Sequence, residues 1–317
     1  EYVSPNYWYT DTINGGAFGF NTETGPGPQV PVLESVKKMI PADKLWPPNE
    51  MWNYHCTHSK QAFNTMDVYN TALEARFGKA TDLDDYLLKS NAQSYEAMKG
   101  MFEAFRVNIP KTTGIIQWML NSAWPSMYWH LYDYYLRPSA AYYAARNANQ
   151  PIQLIYNYGN NSIYAVNETR QEVKNFNAEI KLLNTGSNVL TNKNLIVDIP
   201  SNSSVKIMQL DPLTENEFLS MKLTDANGKR VAGNFYWLSD KPDEFAWDKT
   251  NWVFTPLKSF ADHTPLSELQ TSKITISCKT EVNGSKLKIH TWISNPTDKI
   301  AFFISLMLND EKGESIC

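Results

Sequence analysis

Residues 15–27 read Gly-Gly-Ala-Phe-Gly-Phe-Asn-Thr-Glu-Thr-Gly-Pro-Gly. A short apolar run, Ala17 to Phe20, leads to one carboxylate, Glu23, and Gly25, Pro26, Gly27 and Pro28 follow at once. Apolar residues bounded by glycine and proline predict a buried strand over residues 15–23 that stops, offers an acid at its tip and turns sharply away. An acid held at a strand end can act as a nucleophile or move a proton. The C-terminal end of a barrel strand is where (β/α)8 enzymes place such groups. The plainer reading is a solvated glutamate in the turn after an ordinary strand.

A second run, Gly114 to Asn121, is almost continuously apolar, as a strand buried on both faces should be. It passes into Ser122, Ala123, Trp124 and Pro125, so Trp118, Asn121 and Trp124 fall at its end. Each has a bland alternative: Trp118 as core, Asn121 as a turn cap, Trp124 as ordinary packing. His55 follows Trp52 and Tyr54 in the first long loop and is either a pocket residue or a hydrogen-bonded loop histidine. Glu50, in the same loop, is a weaker candidate for a ligand-binding role, since most loop glutamates are solvated. Asp133, among Tyr132, Tyr134 and Tyr135, reads as a structural acid. Asp82, Asp84 and Asp85 sit at a helix start, where the helix dipole favours negative charge.

The elements that must position these groups are legible by period. Apolar spacing predicts helices over Val32 to Ile40, Lys60 to Phe77, Leu83 to Val107 and Ser139 to Asn149, with Leu45 to Cys56 irregular. The order strand, helices, strand, helix argues for parallel βα units. After Pro151 the texture changes. Short runs at Gln153 to Tyr156, Ser162 to Asn167, Asn177 to Leu183, Asn194 to Ile199, Ser204 to Leu210, Phe218 to Thr224 and Val231 to Leu238 predict an antiparallel sandwich. Ser239 to Leu266 is a connector with Trp247 and Trp252. Strands resume at Lys273 to Thr280, Lys286 to Ser294 and Ile300 to Leu308, with a hairpin turn at Asn283-Gly284.

Composition excludes several classes. A net charge of −4 favours neither nucleic acid nor an anionic membrane. The longest apolar runs are too short to span a bilayer. Glu1 begins without the basic and apolar segments of a signal peptide. Cys56, Cys278 and Cys317 are scattered and predict free thiols rather than a disulfide framework or a metal site. Exposed rings such as Trp237, Trp247 and Trp252 leave room for another class, a non-catalytic carbohydrate-binding or structural module. Asn-X-Ser/Thr acceptor sites occur at Asn160, Asn167, Asn202 and Asn283.

Three ordered motifs, Phe18-Gly-Phe-Asn-Thr-Glu-Thr-Gly-Pro-Gly27, Gln117-Trp-Met-Leu-Asn-Ser-Ala-Trp-Pro125 and Trp129-His-Leu-Tyr-Asp-Tyr-Tyr135, resemble glycoside hydrolase family 2. The exo-β-D-glucosaminidases are the nearest subgroup, with β-mannosidases and endo-β-mannosidases as cousins. The resemblance implies a multidomain chain: the C-terminal part of a (β/α)8 TIM barrel followed by immunoglobulin-like β-sandwich domains. Residues 1–149 would hold the last two barrel strands, 150–240 a sandwich, 241–267 a linker and 268–317 the start of a second sandwich. It implies Glu23 as the nucleophile of a retaining glycosidase, with Trp118, Asn121, Trp124 and His55 around the sugar. The family's general acid/base lies on an earlier barrel strand with no counterpart in this sequence, so the chain alone is expected to be inactive. No cofactor or metal is implied. The expected partners are a β-linked oligosaccharide, most simply a β-D-glucosaminide of chitosan type, and the N-terminal remainder of the same enzyme. An extracytoplasmic location, periplasmic or secreted, follows from polysaccharide-degrading relatives.

Overall fold

The structure is a computed structural model that describes residues 1–10, 13, 15–59, 62–311 and 316. Its first half runs α1 (Tyr7–Thr10), β1 (Gly19–Thr24), α2 (Leu33–Met39), α3 (Glu50–Tyr54), α4 (Asp67–Phe77), α5 (Leu83–Val107), β2 (Thr112–Gln117) and α6 (Ala140–Ala148). Strands β1 and β2 pair in parallel.

Helix α5 spans the expected residues because both ends are marked chemically. Asp82 Oδ1 accepts from the Asp85 amide at 2.9 Å, and Asp85 Oδ2 accepts from the Thr81 amide at 3.0 Å, a reciprocal cap. Pro110 lies just past the far end. Its buried stripe, with Met98, Met101 and Phe105, packs on Trp8, Ala141 and Ala144. Helix α4 begins later than its period predicts. Residues 63–66 form a turn held from outside, with the Phe63 carbonyl accepting from Thr57 N at 2.9 Å and Asn53 Oδ1 accepting from Met66 N at 3.0 Å. Lys60, where the helix was expected to start, lies outside the described residues. The stretch expected to be irregular contains α3, which Asn49 caps by accepting from Met51 N at 2.9 Å.

Two further expectations are corrected here. The run Gly114 to Asn121 is not one strand: β2 ends at Gln117, and Met119 turns to donate to the Trp129 carbonyl at 2.6 Å. Nor is β2 covered on both faces. Phe18, Phe20, Ile116 and Leu120 are exposed, because two strands offer each other edges and no covering layer.

The second half is a sandwich. One sheet orders β3 (Ile152–Asn157), β4 (Ser162–Asn167) and β7 (Ser203–Gln209). The other orders β6 (Val189–Ile199), β5 (Val173–Asn184), β8 (Glu217–Thr224) and β9 (Arg230–Leu238). All pairings are antiparallel. Ala178, Ile180 and Leu182 alternate inward on β5, as do Leu219, Met221 and Leu223 on β8, and they meet Leu154, Ile163 and Ala165 of the facing sheet. Asn167 is buried, with Nδ2 donating to the Gln171 carbonyl at 2.8 Å, so of the four acceptor sites Asn160, Asn202 and Asn283 are the exposed ones.

Beyond the sandwich, β10 (Glu244–Phe245) pairs with β11 (Leu257–Ser259), and β12 (Thr275–Asn283) forms a hairpin with β13 (Lys286–Ser294). The expected strand Ile300 to Leu308 is absent. Its aromatic residues are used differently: Phe302 and Phe303 lie 5.3 Å and 5.8 Å from the Trp237 ring. Trp237 is therefore not an exposed ring but a buried one, 4% accessible, wedged between these residues and Tyr95 of α5. Cys56 and Cys278 are free thiols, and Cys317 lies outside the described residues.

Polar groups join the two halves. Glu103 of α5 accepts from Asn234 Nδ2 at 2.7 Å and from the Tyr236 hydroxyl at 2.8 Å, both on β9. Lys99 donates to the Phe235 carbonyl at 2.7 Å and sits 3.3 Å over the Tyr236 ring. Arg76 of α4 meets Glu96 of α5 at 2.5 Å, and its Nη2 donates to His263 Nε2 at 3.1 Å.

Candidate active site

The register of β1 and β2 places the acid. Asn21 faces Ile115 and Thr24 faces Gln117, so β1 spends three steps where β2 spends two. The extra residue is a bulge, a device that re-aims a side chain. Glu23 stands on it, exposed, with its amide donating to Asn21 Oδ1 at 3.1 Å. Beyond the bulge the strand ends are stitched together by Trp118 N donating to the Thr24 carbonyl at 2.7 Å. Gly25 permits this. A Cβ there would lie 2.9 Å from the Trp118 carbonyl oxygen and 3.4 Å from Trp129 Cδ1.

The segment after β2 carries the other candidates. Trp118 is 48% exposed, Trp124 is 37% exposed, and Asn121 is exposed and bridged to Tyr132. The segment is tied back to the loop after β1 by Gln29 N donating to the Met127 carbonyl at 2.8 Å. Glu23, Trp118, Asn121 and Trp124 thus all belong to the C-terminal end of the strand pair. His55 is buried beneath this end rather than on it. Its ring stacks on Trp124 at 5.3 Å, its Nδ1 donates to the Pro125 carbonyl at 2.8 Å, and its carbonyl accepts from Met127 N at 2.8 Å. Glu50 lies on the first turn of α3, where its own backbone amide and then Lys44 hold its carboxyl below the usual range. Asp133 is the structural acid expected, accepting from the Tyr135 and Arg137 amides, both at 2.9 Å.

Sequence reasoning passed over several rings. Tyr54 and His58 meet Trp124 edge-on at 5.5 Å and 5.7 Å. Trp129 borders Gly25, donates from Nε1 to Glu1 Oε1 at 3.1 Å and meets Phe63 at 5.0 Å. The cluster Trp-Asn-Tyr-His-Cys-Thr-His over residues 52–58 was the available signal, but its spacing fits no period.

Two family descriptions match: the mannosidase Ig/CBM-like domain over residues 159–241 and the exo-β-D-glucosaminidase Ig-fold domain over residues 252–317. The chain is 32% identical over 335 residues to an exo-β-D-glucosaminidase of Hypocrea jecorina, covering 100% of this chain and 37% of that protein. The Amycolatopsis orientalis exo-β-D-glucosaminidase is 31% identical over 333 residues. The chain carries the two immunoglobulin-type domains these descriptions name and is similar over its full length to exo-β-D-glucosaminidases, spanning a little over a third of the length of the Hypocrea relative. The solved structure of the exo-chitosanase CsxA from Amycolatopsis orientalis superposes on this chain with a TM-score of 0.92 at 28% identity, over 100% of this chain and 39% of that one. A β-D-mannosidase from Dictyoglomus thermophilum, at 20% identity and a TM-score of 0.67, shares the fold. The immunoglobulin-like domains read from the sequence are therefore present.

Proposed function

We propose that this chain supplies the nucleophile side of a retaining exo-β-D-glucosaminidase, with Glu23 as the nucleophile. The observation that carries the reading is the position of Glu23: an exposed carboxylate on a bulge at the end of a parallel strand, next to a strand end that continues into half-exposed Trp118. The similarity to exo-chitosanase CsxA, solved in complex with PNP-β-D-glucosamine, supports the substrate class.

In this reading β1 and β2 are neighbouring staves of a (β/α)8 barrel, and the exposed Phe18, Phe20, Ile116 and Leu120 are the side chains that further staves cover. Residues 1–149 form the barrel part, 150–240 the first immunoglobulin-like sandwich, 241–267 the linker, and 268–317 belong to a second. A retaining enzyme sets two carboxyl groups about 5–5.5 Å apart. Glu23 attacks the anomeric carbon and holds the sugar covalently. The second carboxyl, not assigned to any residue here, protonates the leaving oxygen and then activates water. Trp118, Asn121 and Trp124 line the sugar site, and His55 fixes the plane of Trp124 from beneath. The partners are a β-linked glucosamine oligosaccharide and the remainder of the enzyme. A polymeric substrate favours an extracytoplasmic location.

In the protein of full relative-like length, Glu23→Gln is expected to abolish release of p-nitrophenol from p-nitrophenyl β-D-glucosaminide while leaving substrate binding intact. Ordinary turnover by that variant rules the assignment out.

A further inference from the structure

Trp118 is the first residue past β2, which ends at Gln117, so it lies outside the strand ladder. Three hydrogen bonds hold it instead. Trp118 N donates to the Thr24 carbonyl at 2.7 Å. From either side of Trp118, Gln117 Nε2 and Met119 N donate to one shared acceptor, the Trp129 carbonyl, at 2.7 Å and 2.6 Å. A carbonyl oxygen has two lone pairs, and these two donors fill it. A residue 48% exposed is thereby pinned from both flanks.

The acceptor is itself fixed. Trp129 Nε1 donates to Glu1 Oε1 at 3.1 Å, and the ring meets Phe63 and Tyr128 edge-on, both at 5.0 Å. Its backbone φ of 63° is one that bulky residues adopt rarely and that concentrates at functional sites. The clamp also reaches the strand that carries Glu23. Gln117 faces Thr24 in the β1–β2 register, and both Trp118 and Trp129 crowd Gly25. Thr24 and Gly25 are the two residues that follow Glu23.

Two of the three bonds run from backbone to backbone, so any residue but proline could make them. The third needs a side chain of glutamine's reach that ends in an N–H donor. A β-branched residue, the usual choice in a strand, would fill the position and leave that bond unmade.

We propose that Gln117 is a positioning residue of the sugar site: it fixes the direction in which Trp118 leaves the strand end, and so where the sugar ring rests relative to Glu23. The proposal rests on the glycosidase reading, in which Trp118 lines that site, and deepens it by naming a residue that acts through Trp118.

The test is a double-variant cycle on turnover of p-nitrophenyl β-D-glucosaminide by the full-length protein. Gln117→Met keeps the length of the side chain and removes the donor. It is expected to lower kcat by about ten-fold while KM changes less, because a displaced ring costs alignment more than binding. Gln117→Asn keeps the amide but falls one methylene short, and is expected to show the same split; it replaces the methionine variant if melting shows that variant unfolded. In a Trp118→Ala background either substitution is expected to cost about two-fold or less, since the ring it orients is gone. Equal fold-losses in the two backgrounds overturn the proposal, as does parental kcat in both Gln117 variants. The nucleophile reading fails separately, if Glu23→Gln turns over at the parental rate.

Discussion

Single atoms decide the shape of the strand end that carries Glu23. A Cβ at Gly25 would strike the Trp118 carbonyl, and backbone cannot swing aside as a side chain can. Gly25→Ala is therefore expected to cost about 1–3 kcal/mol in stability and, under the proposed function and in the full-length protein, to depress turnover of p-nitrophenyl β-D-glucosaminide further than stability alone explains. Thermal melting and kcat on the same sample separate the two. His130 offers a pH test at the same scale. Burial pushes its pKa down to about 4, against weaker opposition from Asp133 and its bond to the Tyr128 carbonyl. The unfolded histidine takes up a proton below its ordinary value near 6.5, whereas the folded one waits until about 4. Stability is thus retained above pH 6.5 and lost as pH falls from there to about 4, by on the order of 3 kcal/mol. Denaturant midpoints across that window should fall less steeply in His130→Asn; equal slopes would show that the histidine is not held neutral. The position of Glu23, Trp118, Asn121 and Trp124 at the C-terminal end of the strand pair was legible because a strand tip and the residues just after it leave a local mark. The burial of His55 was not, since it depends on Trp124, a ring from a distant segment.

Elements were legible where their ends are chemically marked. Helix α5 has an acid cap and a following proline, and β4 runs from Ser162 to Asn167 as its alternation predicts. Helix α4 was overextended because apolar period alone cannot see that Thr57 and Asn53 hold residues 63–66 in a turn. The run Ile300 to Leu308 has strand composition, but aromatic packing on Trp237 wins over a ladder with no partner among the described residues. Between α5 and β9 the decisive contacts are polar. Glu103 serves Asn234, Tyr236 and the charge of Lys99 together. Glu103→Ala leaves that lysine buried without its counter-charge and is expected to cost about 3–5 kcal/mol. Urea denaturation checks this. If Lys99→Met and Glu103→Ala prove strictly additive in the double variant, the two groups are not coupled.

Across the whole molecule the two halves share one core. Phe218 and Trp237 of the sandwich are buried in the same cluster as Trp52, Leu73 and Leu87 of the helical half. Trp237→Ala is expected to lower stability by about 3–5 kcal/mol and to shift a single melting transition. Two calorimetric transitions, with only one moved, would mean that the halves unfold independently. That union was hidden in the sequence, where the change of texture at Pro151 reads as a boundary between separate units.

Helix α5 has 25 residues and so runs about 37 Å without a break. One flank lies under the strand pair's companions, Trp8 and α6, and the other grips β9. Anyone building a hybrid from two relatives by exchanging residues 150–240 would cut through this grip. The grafted sandwich would arrive with its own version of Asn234 and Tyr236, matched to some other helix. A working graft has to carry Lys99 and Glu103 along with it, even though they lie some fifty residues upstream of the apparent splice.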